Sequence, residues 1–273
     1  MTDSVVVLVR AASFIAMFQA VGAAVFLTLF RAHLSVAAAP IARLARIATL
    51  AAAALVMMHF SLESAGMQLL AWHTAAGTAL SVRLGGLLLV MVGLITGGRL
   101  VAGLCCAGGT VLLVCAFATL GHTVDHPHRA ALAALLVAHL VSVTFWFGAL
   151  WPLRQAVTLE TPARAAALLE QFSRIALRMV PLLLLAGAVL VVLLVPGLSA
   201  FAQPYGQLLL AKIAGFSALL GFGALNKLRL TPALRQNVAS AGARLRRSLA
   251  IEYGIMGAVL AITAVMTGLY SPD

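Results

Sequence analysis

RAALAALLVAHLVSVTFWFGALW, residues 129–151, runs for 22 positions after its first arginine without another formal charge. As a helix rising 1.5 Å per residue, it reaches about 33 Å, enough to cross the hydrocarbon of a bilayer. It lacks the alternation of apolar and polar residues that a barrel strand needs, so the run is a membrane helix. The whole chain reads the same way. Of its 273 residues 63% are hydrophobic and 9% charged, with a mean hydropathy of +1.09. Soluble domains carry about 25% charged residues, so this chain has too few to cover a solvated surface. The sequence therefore predicts an all-α integral membrane protein, with the lipid bilayer as its main partner.

Working outward, eight apolar segments fall near 5–30, 41–61, 77–97, 99–120, 130–152, 175–196, 206–226 and 248–270. The tight Gly97-Gly98-Arg99 turn makes spans three and four an antiparallel pair. The aspartate in the first residues and the lack of an early cleavage site read as a retained first span. No linker divides the chain, so residues 1–273 form a single transmembrane domain. The connections at 31–46, 97–99, 153–178 and 227–247 hold three, one, four and six basic residues, 14 of the 18 in all. By the positive-inside rule these face the cytoplasm, and both termini face the periplasm of a bacterial inner membrane. A net charge of +11 spread between spans in this way anchors a bundle, and no nucleic acid is expected as a partner. Cys105, Cys106 and Cys115 share one apolar run and form no disulfide framework. Runs such as Val21-Gly22-Ala23-Ala24 and Leu84-Gly85-Gly86 read as close helix packing.

This orientation gathers soft and borderline metal ligands on one side. His73, His122, His126 and His128 occupy outer connections, and Met57, Met58, His59 and Met67 lie within eleven positions at the outer end of span two. His139 is the exception, nine residues past Ala130 and about 13 Å below the outer end of its span. An imidazole at that depth needs a partner, either a metal ion or a neighbouring helix. Imidazole with thioether suits copper, and thioether selects Cu(I). The plain alternatives are methionines filling gaps, a polar loop at 122–128 and histidines bonded between helices. Lys212 could simply reach toward the interface. Glu252 opens span eight beside Arg246 and Arg247, where an ordinary ion pair is the alternative. No nucleotide-binding loop, phosphorylation motif or hydrolytic acid/base pair is present, so neither an ATP-driven pump nor an enzyme is expected.

From residue 121 onward the chain resembles the CopD/PcoD copper-resistance family of bacterial inner-membrane proteins. The resemblance rests on Gly121-His122, AHLVSVTFWFGALW at 138–151, FSRIAL at 172–177, YGQLLLAKIAGFSALLGFGALNKLRLTPAL at 205–234 and RRSLAIEYGIMGAVLAITAVMTGL at 246–269. The spacing of His139, Trp146 and Gly148, followed by Tyr205, Lys212 and Asn226, is its most specific part. Gly148-Ala149 and Asn226-Lys227 stand where the family usually has Gly-Gly and Asn-Arg. Residues 1–120 match mainly by four spans and apolar character, leaving 121–273 as the CopD-like core. The resemblance implies an eight-span protein that moves copper from the periplasm inward with a periplasmic copper-binding partner.

A second likeness points elsewhere. HLVSVTFWFGALWPLRQ, residues 139–155, is similar to the histidine-bearing span of HemJ-type protoporphyrinogen oxidases, which bind haem b and are about half as long. That likeness makes a haem-binding redox protein the alternative, with His139 as axial ligand and His59 or His122 as the second. The favoured expectation is copper transport. The outer histidines and methionines capture the ion, His59 and His139 form a deeper site, Trp146 and Gly148 allow close packing, and Lys212 and Glu252 shape the charge along the bundle.

Overall fold

The computed structural model describes residues 2–64, 71–118, 129–194 and 197–270. Those residues form helices and the short connections between them. Eight helices are long and apolar enough to cross a membrane. They are α1 (Thr2–Phe30), α2 (Ala38–Glu63), α3 (Ala75–Ile95), α4 (Arg99–Ala118), α5 (Arg129–Leu159), α6 (Pro162–Leu194), α7 (Pro204–Leu225) and α8 (Ala241–Leu269). Four helix ends differ from the hydropathy reading. α5 runs on to Leu159 rather than 152, α6 begins at Pro162 rather than near 175, α7 continues through Asn226–Leu230 and Thr231–Arg235, and α8 begins at Ala241 rather than near 248. The expected basic connections at 153–178 and 227–247 are therefore mostly helix, carrying Arg154, Arg164, Arg174, Arg178, Lys227, Arg229, Arg235, Arg244, Arg246 and Arg247. Hydropathy finds only the lipid-crossing length, and a helix that runs on into polar surroundings escapes it. Beyond α7 the chain turns at Asn237, whose φ of 56° suits asparagine, and the Val238 amide donates back to the Ala233 carbonyl at 3.0 Å.

α1 is the hub. In its apolar window 67% of residues are buried, against 11% in α6 and in α7. It packs on α2, α5, α8 and α4. The closest crossing is between α1 and α5, where Gly22 meets Gly148. A Cβ built on Gly148 would stand 2.2 Å from the Gly22 Cα, and one on Gly22 would stand 2.3 Å from the Thr144 carbonyl oxygen. Two backbones this close bring many atoms into dispersion range, the main source of helix association in lipid. Buried Gln19 reinforces the crossing by donating to the Gly148 carbonyl at 3.4 Å. Phe145 and Phe172 stack with centroids 5.2 Å apart, and Phe147 stacks on Tyr253 at 4.9 Å. α3 and α4 form the expected adjacent pair, with Gly86 set against Gly109 and Gly93 against Cys106. The three cysteines are free.

One carboxylate ties two connections together. Glu160, between α5 and α6, accepts from the Ser35 amide at 2.7 Å, the Ser35 hydroxyl at 2.6 Å and the Ala37 amide at 2.8 Å. It thereby caps the start of α2, where amides lack helical partners. Burial alone pushes its pKa up, but these hydrogen bonds and the Arg164 charge outweigh burial and hold it below the usual value.

Candidate functional site

His139, Ser142, Trp146, Leu150 and Leu153 recur every three or four residues, so they share one face of α5. That face looks into the space among α6, α7 and α8. The His139 ring lies against α6 where Gly187 has no side chain, and a Cβ there would be 3.7 Å from both Cε1 and Nδ1. Its Nδ1 is turned toward the Leu183 backbone but is buried without a well-formed hydrogen bond. Lys212 lies on α7, partly buried. One turn further along, Ser142, Met179 and Leu183 border a void of about 10 Å³, close to the smallest space that holds a water.

Trp146 lines that void and also a much larger one. The larger cavity measures about 290 Å³, and Leu150, Leu153, Leu169, Phe172 and Leu220 supply apolar walls. Trp146 is held between them by edge-on contact with Phe216, 6.0 Å between centroids, and by Gly223, where a Cβ would lie 3.8 Å from its ring. At one wall stand Asn226 and Glu252, 8% and 2% exposed. The Asn226 amide Nδ2 donates to Glu252 Oε1. Asn226 opens the π-helical turn Asn226–Leu230, and such wider turns, frequent at functional sites, re-aim side chains that a regular helix would direct elsewhere. Asn226 Oδ1 and the Ser248 hydroxyl, one turn before Glu252, are buried without partners. A largely apolar cavity bordered by the Glu252 carboxylate, the unsatisfied Asn226 Oδ1 and Lys227 can accept a hydrogen-bond donor or a cation at its acidic wall.

The sequence offered an Arg246 or Arg247 ion pair for Glu252. The structure instead gives it Asn226, and among the described residues neither arginine is paired with it. The residues are 26 apart in sequence, so only the return of α8 against α7 joins them. Ser248 and Met179 also escaped the sequence reading. The lone acid in span eight was the one signal present.

The remaining candidates are dispersed. His59 is buried, with Nε2 3.4 Å from Glu63 Oε1. It shares none of the His139 surroundings, so the structure does not bring the two histidines into one deep site. Met57 and Met58 are exposed on α2, and His73 is exposed in the turn before α3. Tyr205 is half-buried in the first turn of α7. Met67, His122, His126 and His128 lie outside the described residues. Among the described residues, no group of three or more His, Cys, Asp or Glu gathers to hold a metal.

Fold and site together define a multi-pass helical membrane protein with a buried amide–carboxylate pair beside an intramembrane cavity. Residues 166–266 match the family model described as Copper resistance protein D. That stretch carries most of α6, with Lys212, Asn226 and Glu252. Copper resistance protein D of Pseudomonas syringae pv. tomato is 31% identical over 150 residues, covering 50% of this chain and 48% of that protein. The chain thus spans about half the length of the curated relative it matches. No solved structure matches it. Both findings place the likeness to copper-resistance protein D in about half of this chain. The haem reading draws no support from either.

Proposed function

We propose that this protein binds copper ions at the periplasmic face of a bacterial inner membrane and passes them into or across the bundle. The observation that carries the reading is the buried Glu252–Asn226 pair on a cavity of about 290 Å³, inside the stretch that matches a copper-resistance family. A carboxylate at that depth is costly unless a proton or cation neutralises it. A passing copper ion supplies that charge. Met57, Met58, Met67, His73, His122, His126 and His128 offer thioether and imidazole for capture, chemistry suited to Cu(I) and, through imidazole, to Cu(II). His139, Ser142 and Trp146 then lead along α5, with Met179 of α6 beside Ser142, toward Glu252. Separate, modest sites favour passage over storage, since each must release what it binds. A periplasmic copper-binding protein is the natural donor. The process requires no bond-making step and no enzyme activity.

Copper uptake into proteoliposomes tests the proposal. Glu252→Gln and His139→Ala are each expected to lower the uptake rate at least tenfold, while the Gly221→Ala control keeps it. Uptake unchanged in both variants overturns the route. A Soret band in the purified protein would restore the haem alternative, with His139 as axial ligand.

A further inference from the structure

α6 and α7 stand apart over most of their length. α6 packs on α5 and α7 packs on α8, and the two meet through the π-helical turn Asn226–Leu230 and the short helix Thr231–Arg235. The cavity of about 290 Å³ is the cleft between them. Leu177 and Leu228 line it and are 54% and 70% exposed, so it opens sideways on the lipid-facing surface of the bundle. Its lining is graded along the helices. Ser173 of α6, Asn226, Lys227 and Thr231 at the end of α7, and Glu252 of α8 supply polar groups at one end. From Ser173 to Val180, and from Asn226 back to Leu220, the wall is apolar for about 9–11 Å along the helix axes.

The polar end holds both signs of charge. Glu252 is 2% exposed and accepts from Asn226 Nδ2, and Asn226 Oδ1 is left without a partner beside it. Lys227 is exposed on the same cleft, and among the described residues it forms no ion pair with Glu252. Trp146 lies about 25 Å along α5 from Arg129, and Glu252 about 26 Å along α8 from Leu269, so both charges sit well away from those ends of the described segments. A sideways opening with a polar end and an apolar wall suits an amphiphile already in the bilayer. An acid at this depth calls for a cationic partner. A purely anionic headgroup would match Lys227 and be repelled by Glu252. A zwitterion matches both, with its phosphate toward the lysine and its ammonium toward the acid. A primary ammonium also brings three N–H donors to the carboxylate and the free amide oxygen, whereas a quaternary one brings none. We propose that the α6–α7 cleft binds one phospholipid with a primary ammonium headgroup. The ammonium rests on Glu252, the phosphate at Lys227, and an acyl chain follows the apolar wall toward Trp146. The proposal rests on the cleft and not on the copper reading.

The test is native mass spectrometry of the delipidated full chain in detergent, without copper, titrated with phosphatidylethanolamine or phosphatidylcholine of identical acyl chains. The two lipids share phosphate and net charge and differ in their N–H donors. A one-to-one phosphatidylethanolamine adduct should half-saturate at several-fold lower lipid concentration than the phosphatidylcholine adduct. Glu252→Gln keeps the side-chain size and should erase that preference. Lys227→Gln changes an exposed residue, so the fold should survive, and both lipids should bind more weakly by a similar factor because they share the phosphate. Equal affinity for the two lipids in the parent, a preference retained in Glu252→Gln, unaltered binding in Lys227→Gln, or tighter binding of phosphatidylglycerol overturns the proposal. So does a dimer that takes up no lipid, which would give the cleft to a second copy of the chain.

Discussion

Replacing Gly148 with alanine tests the helix crossing on which the groove depends. The added Cβ would stand 2.2 Å from the Gly22 Cα, 2.6 Å from the Gly22 carbonyl carbon and 3.0 Å from the Ala23 nitrogen. All three are backbone atoms of α1, so no change of rotamer relieves the overlap. Carbon atoms sit comfortably at about 3.5–4.0 Å, so the two helices must part by about 1.3 Å or more. Overpacking by a methylene costs about 1–3 kcal/mol where side chains can shift, and a backbone clash belongs at the upper end or beyond. Parting the helices also breaks the 3.4 Å bond from Gln19 to the Gly148 carbonyl. At about 2–4 °C per kcal/mol for a chain of this size, a loss of about 3 kcal/mol lowers the Tm by roughly 6–12 °C. The assay is thermal unfolding of the detergent-solubilised protein followed by circular dichroism. Gly221→Ala is the control, since nothing lies within 4 Å of a Cβ at that position. It should melt at or slightly above the parent temperature, because alanine is the better helix former. If Gly148→Ala melts within about 2 °C of that control, less than 1 kcal/mol was at stake and the crossing does not have this geometry.

Other outcomes follow from the same contacts. Glu160 has its pKa lowered on folding, so its contribution is full above the unfolded value of 4.5 and is lost as pH falls through the folded one. Glu160→Gln should melt lower at pH 7 and show a flatter loss of Tm on acidification than the parent, and parallel acid profiles would contradict that role. Asn226→Leu leaves Glu252 buried without its donor and should cost about 1–3 kcal/mol or more, while Asn226→Leu with Glu252→Leu should recover much of it. Denaturant or thermal midpoints of the two variants decide the matter, and equal losses would sink the pairing. Arg235→Ala removes a pair whose side chains are 70% and 44% exposed, and its Tm should stay near the parent value.

Local composition made much of this legible. Long uncharged runs such as 130–151 can only be membrane helices, because lipid offers no partner for an open backbone. The small-residue positions Gly22 and Gly148 were readable as close-packing points, and the Gly97–Arg99 turn as a link between neighbours. Helix ends were less visible, since α6 and the α7 extension continue past the apolar stretch that hydropathy detects.

The site was legible only as a set of separate polar residues in apolar spans. His59, His139, Lys212 and Glu252 each stood out because burial of such groups in a span is costly, while Asn226 entered only through the family resemblance. Their pairing was not readable, because it depends on which helices meet and at what height. Tertiary structure set Asn226 of the π-turn against Glu252, placed Trp146 between two voids and kept His59, beside Glu63, apart from His139. The sequence alone determined an eight-span membrane protein and its costly residues, since transfer energies act residue by residue. Only the packing of α1 against α5, and of α7 against α8, decided which of those residues share a cavity, since proximity between distant positions is a property of the assembled helices.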